Sequence, residues 1–599
     1  MTRSPRRRRL DLLFWLVVLG GIGASPFSGF AREYRTVEVE SLKITIDSDW
    51  ATRVAPGYLP VRFDITNFGE ARVIEIVGQG WRFFRTPRPG PGGGTAVRQE
   101  VRLAPGDRVR LTMPVPVYAD NENMNFQIRE DGRTLERFNY SGAQGRIAAT
   151  DAPALIVAET SSAFARVAAS WPRKITASTG PVRGTASGAS HPTLDFTLEP
   201  ARLPTNWLGF TSLRAVVVGS AEWGRLEAAQ KEALLTWTAC GGDLFVVDGA
   251  LGGIVPAAQH GPAPRPNGAA TGYFLGRIHV PTSDAMTAGG LAAAVSAATA
   301  LQDANWALPM NSARDWGVIT ARGFRLPIPG VEGVPARAYL LILLVFSLLI
   351  GPVNYWFFRR RRQQVLVVLT APLISAMFLV LLAGYVLVGE GLGVRARAVT
   401  FTMLDEARRQ AVTRASISLY AAGMTPAGGL QFSRDTAVLP IGPDGTGSRD
   451  QQTLDLTVRQ RFATGAIRAR SPTNLEQVTF RPARERLTFS REAGGVGVTN
   501  GLGATVAVLA YHDGAGTHTL TAPLPAGGKA LLQAGSRDLQ GVVPTDLPQF
   551  SRFQDLFAQQ RAGSYLALLE SSPFWEPGVE GAAERGSFHL VLGWPGGQP

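Results

Sequence analysis

The chain is 599 residues long with 45% hydrophobic and 18% charged residues, enough for several folded domains and too apolar for a disordered polymer. Its single cysteine excludes an intramolecular disulfide framework and a cysteine-based zinc ribbon. The formal charge of +13 concentrates in two arginine clusters, one at residues 3–9 and one at 359–362, with the remainder scattered; that distribution argues against a nucleic-acid surface.

Residues 1–31 read as a secretory signal peptide: a basic start, a short apolar run over 12–24, then Pro26 and the small-residue pattern Gly29-Phe30-Ala31. An uncleaved N-terminal anchor is the alternative. Residues 35–145 alternate apolar and polar positions on both sides of turn signals at Asn67-Phe68-Gly69 and Pro105-Gly106-Asp107, which predicts an immunoglobulin-like β-sandwich. "PRPGPGGG" at 87–94 reads as a loop.

From about residue 150 to 330 the pattern changes to α/β. "APALIVA", "RAVVVGS" and "DLFVVDG" are short buried-type strands, and "RLEAAQKEALLTWTACGG" places Leu226, Ala229, Ala233 and Trp237 on one helical face before a glycine stop. "YFLGRIHV" predicts a further strand, and an Ala-rich stretch near 288–302 predicts a helix. A Gly/Ser/Thr-rich insertion over 178–192 interrupts the module.

Residues 338–358 and 365–388 carry no charged side chain, and each is long enough to cross a hydrocarbon core of about 30 Å as a helix. Six residues join them, so the pair must form a hairpin spanning 338–388. Arg359, Arg360, Arg361 and Arg362 in that link favour the cytoplasmic side, with both flanking regions on the other face. Gly351-Pro352 and Pro372 are expected to kink the helices, and Asn354, the one strongly polar side chain, lies near enough to the arginines for headgroups to satisfy it.

Residues 395–599 return to strands and turns. "VTNG" at 498–501 echoes "ITNFG" at 65–69, and "LPAGGKALL" echoes "LAPGDRVRL", so a second β-sandwich of similar plan is expected, with a short helix near 550–560 and closing strands "SYLALLE" and "FHLVLGW". The aromatic loop "SSPFWEPG" is expected to pack its own Phe574 and Trp575.

The stretch "LPTNWLGFTSLRAVVVGSAEWGRLEAAQKEALLTWTACGGDLFVVDGA", with the later "GPVNYW…R", resembles uncharacterised bacterial membrane proteins in which a class I glutamine-amidotransferase-like domain precedes a transmembrane hairpin. The resemblance implies a flavodoxin-like α/β fold over 150–330 and carries no assigned activity. That fold normally sets a nucleophilic cysteine on a strand-to-helix turn. Here Cys240 falls at a helix C-terminus, where the dipole disfavours thiolate, and reads as structural. Ser220 and Glu222 follow a strand and are the weak catalytic candidates, although "VGSAEW" lacks the nucleophile-elbow pattern and a capping role for Ser220 competes. His512, Asp513 and His518 are weak metal candidates around a probable Asp-Gly turn.

The functional expectation is a membrane-anchored protein of the bacterial inner membrane with extracytoplasmic binding or scaffold domains. It would have no cofactor or nucleic-acid ligand, and its partners would be the bilayer and another envelope protein. The alternative is a membrane-bound hydrolase or amidotransferase-like enzyme using the α/β domain.

Overall fold

A computed structural model describes residues 34–47, 57–82, 95–117, 122–140, 153–159, 161–162, 164–165, 193–213, 215–254, 270–282, 326–331, 336–361, 365–390, 393–423, 425–441, 452–493, 495–535 and 562–596. The signal-peptide reading, the 87–94 loop, the 178–192 insertion and the helices expected near 288–302 and 550–560 lie outside these residues. The fold is mixed and strand-rich. Among the described residues the strands form sheets of four, six, seven and twelve strands.

The four-stranded sheet is antiparallel and built from Tyr34–Val39, Leu42–Asp47, Gly57–Asn67 and Arg108–Val117. Alternation decides which face is buried: Val61, Phe63 and Ile65 are buried, while Arg62, Asp64 and Thr66 between them are partly exposed. The strands Thr95–Leu103, Arg72–Arg82, Glu122–Glu130 and Arg133–Tyr140 belong to the seven-stranded sheet, and Phe63 meets Phe126 edge-on at 5.6 Å between the two sheets.

A buried asparagine fixes one end of this pair of sheets. The Asn67 side-chain amide donates to the carbonyls of Glu70 (2.7 Å) and Ala104 (3.0 Å), and its oxygen accepts from the Gly69 N–H (3.1 Å). Its backbone exchanges hydrogen bonds with Gly106 and Asp107, tying together the two turns read from sequence. Asn500 repeats the device after the helix pair. Its amide donates to Ala504, Leu524 and Pro525, its oxygen accepts from Leu502 N–H, and its backbone exchanges bonds with Gly527 and Gly528. The sequence echo therefore marks one hydrogen-bonded clasp used twice.

Strands Pro153–Val157, Thr193–Leu198, Ala215–Gly219, Asp243–Val247 and Gly276–His279 run parallel, and Ala270–Tyr273 closes the edge antiparallel to the last of them. Every residue of Ala215–Gly219 and Asp243–Val247 is buried, as apolar runs covered on both faces require. Helix Ala228–Ala239 packs Ala233 and Trp237 inward, with Leu226 buried just ahead of it; Ala229, expected on the same face, is exposed. The single strand expected at "YFLGRIHV" is instead a hairpin turning at Phe274 (φ +50°) and Leu275. Gly276 is required there because a Cβ would overlap the Thr238 and Gly242 carbonyls at the end of the helix.

The helix pair consists of Ala336–Leu348, a π-helical turn at Leu349–Val353 containing Pro352, Asn354–Arg360, and then Leu366–Glu390. Two stretches, Leu340–Arg360 and Leu366–Gly384, are long and apolar enough to cross a membrane. Phe346 and Phe378 meet edge-on at 5.2 Å between the helices. Asn354 is buried, and its oxygen accepts from the Thr370 hydroxyl at 2.9 Å on the second helix. The asparagine is thus satisfied in part by the opposite helix, where headgroups were expected to do so.

The strands after the helices join those before them. Gln452–Asp455 pairs in parallel with Thr95–Arg98, carrying the seven-stranded sheet on into Gln460–Thr464 and Leu430–Phe432. One contiguous buried core runs from Leu42 to Trp594 and takes side chains from both flanks of the helix pair. A second core gathers Leu487, Phe489, Val498, Tyr511 and Tyr565 with other residues of the C-terminal region. The strands Ser564–Leu569 and Phe588–Trp594 close the structure as expected, and Phe574 and Trp575 are buried.

Candidate functional site

The parallel strands define where a ligand site would fall. Pro153–Val157 has the next strand in sequence, Thr193–Leu198, on one side and the one after it, Ala215–Gly219, on the other. The chain reverses its direction of travel there, and the crevice at the C-terminal ends of such strands is the usual binding position in open α/β sheets. Ser162 lies beyond the end of the first strand, and Ser220 and Glu222 begin the helix Ser220–Arg225 after the third. Glu159 and Arg225 form an ion pair between the two segments.

Ser220 is exposed at the first helical position. It does not cap the helix: Gly219 occupies the cap position, and no side chain bonds there. Glu222, two residues on, is buried, and its Oε1 has no hydrogen-bond partner. Its other oxygen lies over Gly219, where a Cβ would overlap it, so the missing side chain is what admits the carboxylate. Among the described residues no histidine is hydrogen-bonded to Ser220, and no nucleophile–base pair is assembled there.

Cys240 is fully buried at the end of helix Ala228–Ala239, and burial pushes its thiol well above the ordinary range. Burial that keeps a thiol neutral and away from solvent fits a structural cysteine. His279 stacks on Phe245 at 4.2 Å and places Nε2 3.0 Å from Asp243 Oδ1, which makes it part of the sheet's packing.

The C-terminal candidates form a turn. Asp513 Oδ1 accepts from the N–H groups of Ala515 (2.9 Å) and Gly516 (2.8 Å), while Oδ2 meets His518 Nε2 at 2.9 Å. The Gly516 N–H, and next His518, hold the Asp513 carboxyl down at about 2. His512 is turned to a different partner, accepting from Gly514 N–H at 3.1 Å. Among the described residues no group of three or more His, Cys, Asp or Glu side chains is placed to hold a metal.

An acid–imidazole–hydroxyl chain that the sequence did not suggest lies in the twelve-stranded sheet, where Val394–Asp405 runs parallel to Phe588–Trp594. His589 Nε2 is 2.6 Å from Glu584 Oε1, and Nδ1 is 2.9 Å from the Thr400 hydroxyl. The order matches that of hydrolytic triads, but Thr400 and His589 are both fully buried, so no substrate reaches the hydroxyl. The register that brings these residues together, Thr400 beside His589, spans 189 positions and leaves no local signal.

Arg359, Arg360 and Arg361 are exposed at the end of helix Asn354–Arg360; Arg362 lies outside the described residues. Arg361 stacks over Phe357 at 4.4 Å and Arg360 over Trp356 at 5.6 Å, giving this tip of the hairpin a rim of cations on aromatic rings.

No family model matches the chain, and a comparison with curated proteins finds none that is similar to it.

Proposed function

We propose that the chain is a membrane-anchored binding protein of a bacterial envelope, whose strand-rich body is held outside the cytoplasm by the helix hairpin and works through partners instead of turnover. The observation that carries this reading is the interlocking of the two flanks: Gln452–Asp455 beside Thr95–Arg98, with Arg98 bonded to Asp455 at 2.7 Å. Segments that share a sheet must lie on one side of a membrane. An even number of crossings between them follows, and four consecutive arginines at the tip favour the cytoplasmic side for it. The β-modules are then immunoglobulin-like sandwiches, and the parallel sheet, with its 2-1-3-4 strand order, is an amidotransferase-like domain used for binding at its switch point.

A second reading, a membrane-bound hydrolase, draws on one observation: exposed Ser220 beside the buried, partly unsatisfied Glu222 at the switch point. Purified full-length protein distinguishes the two. Under the binding reading it leaves ester and amide substrates intact, and Ser220→Ala changes nothing. Turnover that Ser220→Ala abolishes would favour the enzyme.

A further inference from the structure

The tip of the helix hairpin carries its cations in a geometry that turns them back toward the membrane. Trp356 and Arg360 stand four positions apart, as do Phe357 and Arg361, so each pair shares a face of the helix that ends there. The Arg361 guanidinium lies 4.4 Å from the Phe357 ring centroid, and that of Arg360 lies 5.6 Å from the Trp356 centroid. Side chains on a helix lean toward its N-terminus. Here that direction runs from the arginines into the apolar stretch Leu340–Arg360, whose 21 residues rise about 30 Å, the thickness of a hydrocarbon core. The ring contacts therefore hold both guanidinium groups over rings of the kind that settle at the membrane–water interface, at headgroup depth.

A ring engages a guanidinium through its face and leaves the N–H donors along its edge for an anion. Arg359, Arg360 and Arg361 are all exposed, and among the described residues none of them is ion-paired with a carboxylate. The sequence gives a reason: no Asp or Glu stands between Glu332 and Glu390. Glu390 is the last residue of the second helix, at the end opposite the tip. The hairpin thus gathers cations at one end and supplies no acid of its own to neutralise them there.

We propose that Arg359, Arg360 and Arg361 form a headgroup site for an anionic phospholipid of the leaflet at the hairpin tip, with the guanidinium edges donating to its phosphodiester oxygens. The planar fork of N–H groups matches two phosphate oxygens at once. A headgroup without a compensating cation is preferred over a zwitterionic one, because only the first leaves the phosphodiester charge to the arginines. Bound lipid would pin the tip at a fixed depth and hold the helix pair in one register with the bilayer. The proposal rests on the reading that the helix pair spans the membrane.

The test uses the full chain reconstituted into phosphatidylcholine nanodiscs doped with spin-labelled phosphatidylglycerol or spin-labelled phosphatidylcholine. Electron paramagnetic resonance reads the motionally restricted lipid held by the protein. The native chain is expected to hold phosphatidylglycerol about fivefold or more over phosphatidylcholine, with the preference falling in high salt. The variant Arg359→Gln/Arg360→Gln/Arg361→Gln should drop below about twofold while the body keeps its thermal unfolding midpoint. A preference that survives in the variant would place the lipid elsewhere on the chain and overturn the assignment. Equal retention of the two lipids by the native chain would overturn the proposal alone; failure to enter the discs would overturn it together with the spanning reading. Loss of the preference on adding inorganic phosphate, at an ionic strength matched with chloride, would make free phosphate the occupant in place of lipid.

Discussion

The Tyr58 hydroxyl accepts from the Val438 N–H at 3.0 Å and places its own proton between the Val438 carbonyl (2.9 Å) and Gln460 Oε1 (3.0 Å). The contact joins residues 380 positions apart, on opposite flanks of the helix hairpin, in a fully buried setting. Burial raises the Tyr58 pKa, so the hydroxyl stays protonated and remains both donor and acceptor. Trp207 adds a parallel tie, donating from Nε1 to the Asp435 carbonyl at 2.9 Å.

Tyr58→Phe should therefore destabilise the whole protein. It strands the buried Val438 N–H and Gln460 Oε1, a loss of about 1–3 kcal/mol. Thermal unfolding in detergent should show one cooperative transition at a lower midpoint. Two separated transitions would mean that the flanks fold independently.

Asn67→Ala and Asn500→Ala should each cost about 2 kcal/mol or more, because each buried side chain satisfies several backbone groups at once. Asp at either position should fare no better, since the two or three carbonyls now receiving N–H donors would face a carboxylate. Chemical denaturation of the four variants measures this directly.

Much of this architecture was legible in the chain. The helix pair announces itself through two long uncharged runs, and the shared "TN" and glycine turn marks a repeated plan, although the asparagine clasps behind that echo appear only in the fold. Pairing partners were not legible. Nothing in the local alternation of Gln452–Asp455 specifies Thr95–Arg98 as its neighbour, since periodicity encodes which face is buried and not what lies alongside. The same holds at the candidate sites. The sequence pointed to Ser220 and Glu222 by their place after a strand, but the burial of Glu222 over Gly219 and the Asn354–Thr370 bond depend on approach of segments that only the fold brings together.

Glu406 supplies a pH dependence. Its Oε1 accepts from Leu487 N–H (2.8 Å) and the Tyr565 hydroxyl (2.7 Å), but burial outweighs these contacts and raises its pKa to about 7. The folded form holds a proton that the unfolded chain releases near its ordinary value of 4.5. The stability this contributes is complete below about pH 4.5 and is lost as the pH rises through about 7. Buried Glu476 is shifted in the same direction. Glu406→Gln should flatten the fall in unfolding midpoint between about pH 5 and about pH 8; an unchanged slope would assign it to other groups.

Within the hairpin, Thr370→Val should loosen the helix pair by about 0.6–2 kcal/mol, the range for interhelical hydrogen bonds in membranes. Unfolding in increasing fractions of a denaturing detergent, followed by energy transfer between labels on the two helices, reads this.

The claim that the flanks form one body on one side of the membrane is tested most directly at the shared strand pair. Ala96 and Thr453 are register partners, so cysteines at both positions in a Cys240→Ala background should form a disulfide in intact membranes. After proteolytic cleavage of the arginine link at 359–362, the two fragments should then migrate as one species until reduced. Labelling of positions 96 and 453 by an impermeant thiol reagent from opposite sides of a sealed membrane, with no crosslink formed, would contradict the account.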